Sequence, residues 1–120
     1  MWKVMLFLLV VVLFLFPAVV RAQDVGGRWC AQGNGADCLV ITVSKASPEV
    51  VTAVFQDGGR TYAEASGYAR DGKVAVAFRR TNARDIGYAT MHLRDANTAD
   101  ARTFNPDGTQ RWKGVYVRAR

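Results

Sequence analysis

The sequence predicts an all-β fold: an antiparallel up-and-down meander of about eight strands, closed as a small barrel, after a cleavable N-terminal signal helix. Short runs rich in Val, Thr, Tyr and Phe follow one another through residues 23–120, and no apolar run there repeats at helical spacing. Turn signals separate the runs at Asn34-Gly35, Asp57-Gly58, Asp71-Gly72 and Asp107-Gly108. These dipeptides mark tight hairpins, because such turns need residues that accept a positive φ. A sheet of hairpin-linked strands exposes two edges unless it closes on itself, and closure is the simplest way to remove them.

The signal segment comes first. Met1-Trp2-Lys3 gives a short positive start, and Val4 to Phe16 is an unbroken apolar run. Pro17 breaks it, and Val20-Arg21-Ala22 offers a peptidase site before Gln23. The expected organisation is therefore a signal peptide over 1–22 and a single β-barrel domain over 23–120, with the protein secreted or periplasmic. The alternative is a retained anchor, since Val4 to Val20 lies at the short end of a membrane span. Strands are expected near 26–31, 38–44, 50–56, 60–70, 73–80, 86–94, 98–105 and 109–118.

Two of these hairpins can be read in register. A two-residue turn at Asp71-Gly72 pairs Arg70 with Lys73, Ala69 with Val74, Gly67 with Val76 and Ala65 with Phe78. One face is then wholly apolar, and the other sets Glu64 against Arg79 and carries Tyr62 and Tyr68 beside Ser66. A type I turn at Asn105-Pro106-Asp107-Gly108 pairs Phe104 with Gln110, Arg102 with Trp112 and Asp100 with Gly114. That register puts Asp100 and Arg102 on one inward face with Phe104, Trp112 and Tyr116. Buried charges must be paired or serve a purpose, unless their heads snorkel to the rim.

Composition narrows the function. The chain has 16 Lys and Arg against 10 Asp and Glu. Loss of Lys3 and Arg21 with the leader reduces the formal charge from +6 to +4. A mild positive balance suits anionic neighbours such as envelope glycans, lipid head groups or acidic proteins, and argues against nucleic acid; the expected partner is an apolar or anionic ligand or an envelope protein. A domain this small profits from a staple, and Cys30 and Cys38 are the only cysteines. An oxidising compartment permits their disulfide, worth roughly 2–3 kcal/mol for so short a loop. Their spacing fits no common zinc pattern, so neither metal nor cofactor is expected. His92 is the only histidine, and no nucleophile with an adjacent base is evident.

Gly27-Arg28-Trp29 opens the first strand as G-x-W, and Arg118 ends the last. The chain thereby resembles the calycin group, the up-and-down barrels that include lipocalins, fatty-acid-binding proteins and avidins. The resemblance implies that Trp29 plugs one end of the barrel and that Arg118, or Arg120, stacks on it. The lipocalins' T-D-Y motif has no counterpart, and Asp85-Ile86-Gly87-Tyr88 is the nearest approach.

The expected function is an exported, non-enzymatic and monomeric binding protein that holds a ligand or partner at its open end. Asp100, Arg102, Trp112 and Tyr116 are the first candidates for contact. The alternative is a protein-interaction module, such as an inhibitor of a cell-envelope hydrolase, that uses a basic loop carrying Arg79, Arg80 and Arg84. A cavity favours the first reading, and a filled core with a protruding basic loop favours the second.

Overall fold

A computed structural model describes residues 25–119 of the protein, so the expected leader and Arg120 lie outside the described residues. Eight strands follow in order: β1 (Gly27–Ala31), β2 (Asn34–Val43), β3 (Val50–Asp57), β4 (Arg60–Arg70), β5 (Lys73–Arg80), β6 (Ile86–Leu93), β7 (Thr98–Phe104) and β8 (Gln110–Arg118). Each pairs antiparallel with the next, and β8 pairs back onto β1. The sheet is a closed barrel in chain order, with no free edge.

The β4–β5 hairpin has the register that the sequence predicts, from Arg70↔Lys73 through Gly67↔Val76 to Glu64↔Arg79. Asp71 and Gly72 both take positive φ, 54° and 75°, as a type I′ turn requires. Ala65, Ala69, Val74, Val76 and Phe78 are buried inside, while Glu64 and Arg79 are exposed outside. Strict alternation thus separates core from solvent along both strands.

The first hairpin turns earlier than expected. Gln32-Gly33 makes the turn, with Gly33 at φ 85°, and Asn34-Gly35 already belongs to β2. An irregularity follows, so that Ala31 pairs with Asn34 but Cys30 pairs with Cys38. Cys30 and Cys38 are disulfide-bonded across this pair. Such bonds persist in oxidising compartments, which points to an extracytoplasmic setting.

The last hairpin departs from prediction on one residue. The turn forms as expected, with Gly108 N–H donating to Asn105 O at 2.9 Å and Gly108 at φ 90°. Phe104 pairs with Gln110, but Thr103 then pairs with Trp112, so Arg111 is an extra residue in β8. A bulge of one residue reverses which faces match across two strands. Arg102 therefore pairs with Lys113 and Asp100 with Val115, all on the outer face. Trp112 and Tyr116 keep the inner face, opposite Thr103 and Ala99.

The barrel interior is filled. Leu39, Phe55, Val74, Val76, Met91 and Tyr116 meet around a residual void of about 10 Å³, room for a single water at most. Small residues on the inner face, Ala53, Ala63, Ala65, Ala89, Ala99 and Ala101, let the opposing walls approach.

Candidate functional site

The two ends of the barrel differ, and the difference locates the site. At one end Trp29 is fully buried. The Arg118 guanidinium lies 4.2 Å from its ring centroid. Arg118 Nη1 donates to Gly26 O at 2.6 Å and Nε to Ala96 O at 2.9 Å. The indole Nε1 donates to Val25 O at 2.9 Å. Gly27 makes this possible: its φ is 117°, and a Cβ there would stand 3.1 Å from Arg118 Nη1. Ring, cation and carbonyls satisfy one another, so this end is a structural seal.

The opposite end, rimmed by the β1–β2, β3–β4, β5–β6 and β7–β8 turns, holds a cavity of about 160 Å³. Asp37, Tyr62, Arg80, Arg111, Trp112 and Tyr116 line it, above a floor that includes Phe55 and Phe78. Backbone irregularities aim several of these groups. Tyr62 is an extra residue in β4, because Phe55 pairs with Ala63 but Gln56 with Thr61. Its ring comes to rest 6.1 Å from that of Phe55, away from the outer face that it was expected to share with Tyr68. Arg111 is the extra residue of β8, and its guanidinium lies 5.5 Å from the Phe78 ring centroid. Trp112 and Tyr116 lie with ring centroids 5.7 Å apart. Gly114 leaves the space for this, since a Cβ there would collide with the Trp112 ring.

Charge at the mouth is organised around Asp85. Arg111 Nη1 donates to its carboxylate at 3.0 Å and Nη2 at 3.1 Å. Arg80 approaches the same group at 3.4 Å and covers the Tyr62 ring at 5.6 Å. One carboxylate thus serves two guanidiniums, and Asp37 brings a second carboxyl to the cavity, so acidic and basic groups are matched two against two at the mouth. Burial raises the Asp37 carboxyl above its ordinary range; the Tyr62 hydroxyl, donating at 3.5 Å, works against this, and the Asp57 charge adds to it. Burial also pushes the Tyr62 hydroxyl up to about 12, helped by the Asp37 charge, and raises that of Tyr116. The Tyr116 hydroxyl makes no hydrogen bond to another described residue and opens on the cavity. The arrangement gathers aromatic surface, two tyrosine hydroxyls and matched charges at one opening.

The raised Asp37 carboxyl predicts a pH effect on stability. A carboxyl that holds its proton more tightly folded than unfolded stabilises the fold at low pH, and that contribution fades as pH rises through its folded value. Asp37→Asn should therefore raise the melting temperature at pH 7, and the gain should shrink below about pH 4, the ordinary range of a carboxyl. Melts of both proteins across that range test the sign, and a variant less stable than wild type at pH 7 would contradict it.

The groups expected from sequence are divided by the structure. Trp112, Tyr116 and Arg80 meet at the mouth. Asp100 and Arg102 do not: both lie on the outer face of β7, and Asp100 pairs with Arg94, whose Nε donates to it at 2.9 Å. Arg79 is outside on β5, opposite Glu64, and Arg84 is exposed in the β5–β6 loop. Asp37, Asp85 and Arg111 were not anticipated. Asp37 was within reach, since Asp37, Leu39 and Ile41 alternate along one strand and Leu39 and Ile41 are core. No protein-family model matches the chain, and no curated protein matches it in sequence.

Proposed function

We propose that this is an exported, non-enzymatic binding module that takes a small group of its ligand or partner into the mouth of the barrel. The cavity carries the reading: it opens opposite a sealed end, and an unengaged hydroxyl and a half-buried carboxylate face it. Ordinary ligand pockets run to about 300–1,000 Å³. A space of about 160 Å³ instead fits one ring or one side chain at the end of something larger. The calycin likeness supports the choice of end but not a lipocalin-type cargo, because the interior below the mouth is filled. The aromatic lining and the guanidinium donors at its edge favour a ring or apolar group that carries a hydrogen-bond acceptor. The bonded cysteines and the leader-like residues 1–22 support a secreted or periplasmic setting.

Native mass spectrometry of protein purified from its own host tests this. The wild-type protein should retain a ligand or partner, and Trp112→Ala should weaken retention about tenfold or more, as loss of a buried aromatic anchor does. A protein that retains nothing, or whose retained mass ignores Trp112→Ala, would refute the reading. A second reading, an inhibitor of a cell-envelope hydrolase, draws support from the filled core and from exposed Arg84 on the loop beside the mouth. It expects a co-purifying protein that is lost with Arg84→Ala and kept with Trp112→Ala.

A further inference from the structure

The outer face of β4–β8 carries a second, separate concentration of chemistry. The strand registers place side chains there in rows that cross the strands. One row runs Tyr68, Ala75, Thr90, Arg102, Lys113. The next runs Arg70, Lys73, His92, Asp100, Val115. Ala75 and Thr90 are the small side chains in the middle of the first row, and the surface there forms a shallow, open trough of about 1200 Å³. Five cations line it (Arg70, Lys73, Arg94, Arg102 and Lys113) against two carboxylates, Asp71 and Asp100. That surplus of three is half of the chain's formal charge of +6.

Pairing within the trough leaves specific cations unengaged. Arg94 is held by Asp100, and Arg70 stands 4.0 Å from Glu49. Lys73, Arg102 and Lys113 form no ion pair among the described residues. Arg102 and Lys113 also stand directly opposite each other across β7 and β8. Like charges in that position repel and destabilise a sheet, and an anion bound between them would remove the repulsion. At the other end of the row Tyr68 is 69% exposed, and its ring pairs with no other described aromatic ring. Three strand spacings separate Tyr68 from Arg102, roughly 14 Å. A ring platform and a cation pair at that separation, with small side chains between them, match an extended molecule with a ring at one point and an acid further along.

We propose that this trough binds an acidic oligosaccharide laid across the strands, with a sugar ring stacked on Tyr68 and a carboxylate of the chain held by Arg102 and Lys113. The apolar face of a sugar suits an exposed tyrosine, and carboxylates suit a guanidinium beside an ammonium. The concave shape distinguishes this occupant from a lipid surface. The site does not rest on the proposed mouth, since Arg102 and Tyr68 point away from the interior.

Isothermal titration calorimetry with a short oligouronate, a dextran oligomer of equal length and phosphatidylglycerol vesicles tests the proposal on protein purified from its own host. Oligouronate should bind saturably and more weakly as salt rises; dextran and vesicles should not bind. Arg102→Ala and Lys113→Ala should each weaken binding at least tenfold, and Tyr68→Ala several-fold. Neither charge variant should lower the melting temperature, because each relieves a like-charge pair, so a lost signal would not reflect unfolding. No oligouronate binding, binding indifferent to these variants, or preference for vesicles would overturn the proposal. Loss with Arg102→Ala but none with Tyr68→Ala would also overturn it, by reducing the trough to a general polyanion patch.

Discussion

Val76→Asp should leave the protein unable to fold. Val76 is 5% exposed and sits inside the barrel between Gly67 of β4 and Ala89 of β6. The void nearby is about 10 Å³, too small to hydrate a carboxylate, and no basic side chain belongs to the buried core. An unpaired charge there costs several kcal/mol even after relaxation, against a total stability of about 5–15 kcal/mol for a small domain. Glu64→Gln should change stability by less than about 1 kcal/mol, since Glu64 is exposed opposite Arg79. Circular dichroism melts would show the contrast. If Glu64→Gln were the damaging change, the hairpin would be slipped by one residue, because a slip exchanges the two faces.

The sequence was most legible where two independent signals agreed. In β4–β5 the Asp71-Gly72 turn set the register, and the alternation of Ala65, Ala69, Val74, Val76 and Phe78 demanded the same one. The β7–β8 hairpin shows what happens when they disagree. Its turn is plain in the sequence, yet counting outward from it puts Asp100 and Arg102 inside. The alternation along Thr98–Phe104 says otherwise, because Ala99 and Ala101 are the buried apolar positions and Asp100 and Arg102 fall on the alternate ones. The conflict is resolved physically by Arg111, the single residue that β8 bulges out. A bulge leaves little trace in composition, but a clash between turn counting and alternation is its signature.

The site was harder to read for the same reason. Its residues come from five strands and a loop, and bulges aim two of them, Tyr62 and Arg111. Trp112 and Tyr116 are legible as a pair because residues four apart on one strand share a face. Asp85 is hard to single out because Arg80, its neighbour across the β5–β6 turn, gives it an ordinary hairpin partner, while Arg111 lies 26 residues on and comes beside it only through the β6–β7 and β7–β8 pairings. The outer trough was equally hidden. Arg102 and Lys113 become neighbours only in the shifted register.

Trp29→Ala should cost roughly 3–5 kcal/mol, the range for removing a buried aromatic. The indole has no exposed surface, and its loss would strand the Val25 carbonyl and leave the Arg118 guanidinium without its ring. The Cys30–Cys38 bond limits the unfolded chain next to this position, so the variant should persist as a folded protein of low melting temperature rather than disappear. Arg118→Ala should cost less, about 1.5–3 kcal/mol, through its bonds to the Gly26 and Ala96 carbonyls and its stacking. Arg118→Lys should recover only part of that, because an ammonium cannot reach two carbonyls and cover a ring with one planar group. Trp112→Ala, at the half-open mouth, should shift the melt far less than Trp29→Ala. Thermal melts of the four variants would rank them. If Trp29→Ala melted like wild type, this end of the barrel would not be a seal, the calycin likeness would fail, and the mouth would lose its standing as the binding end.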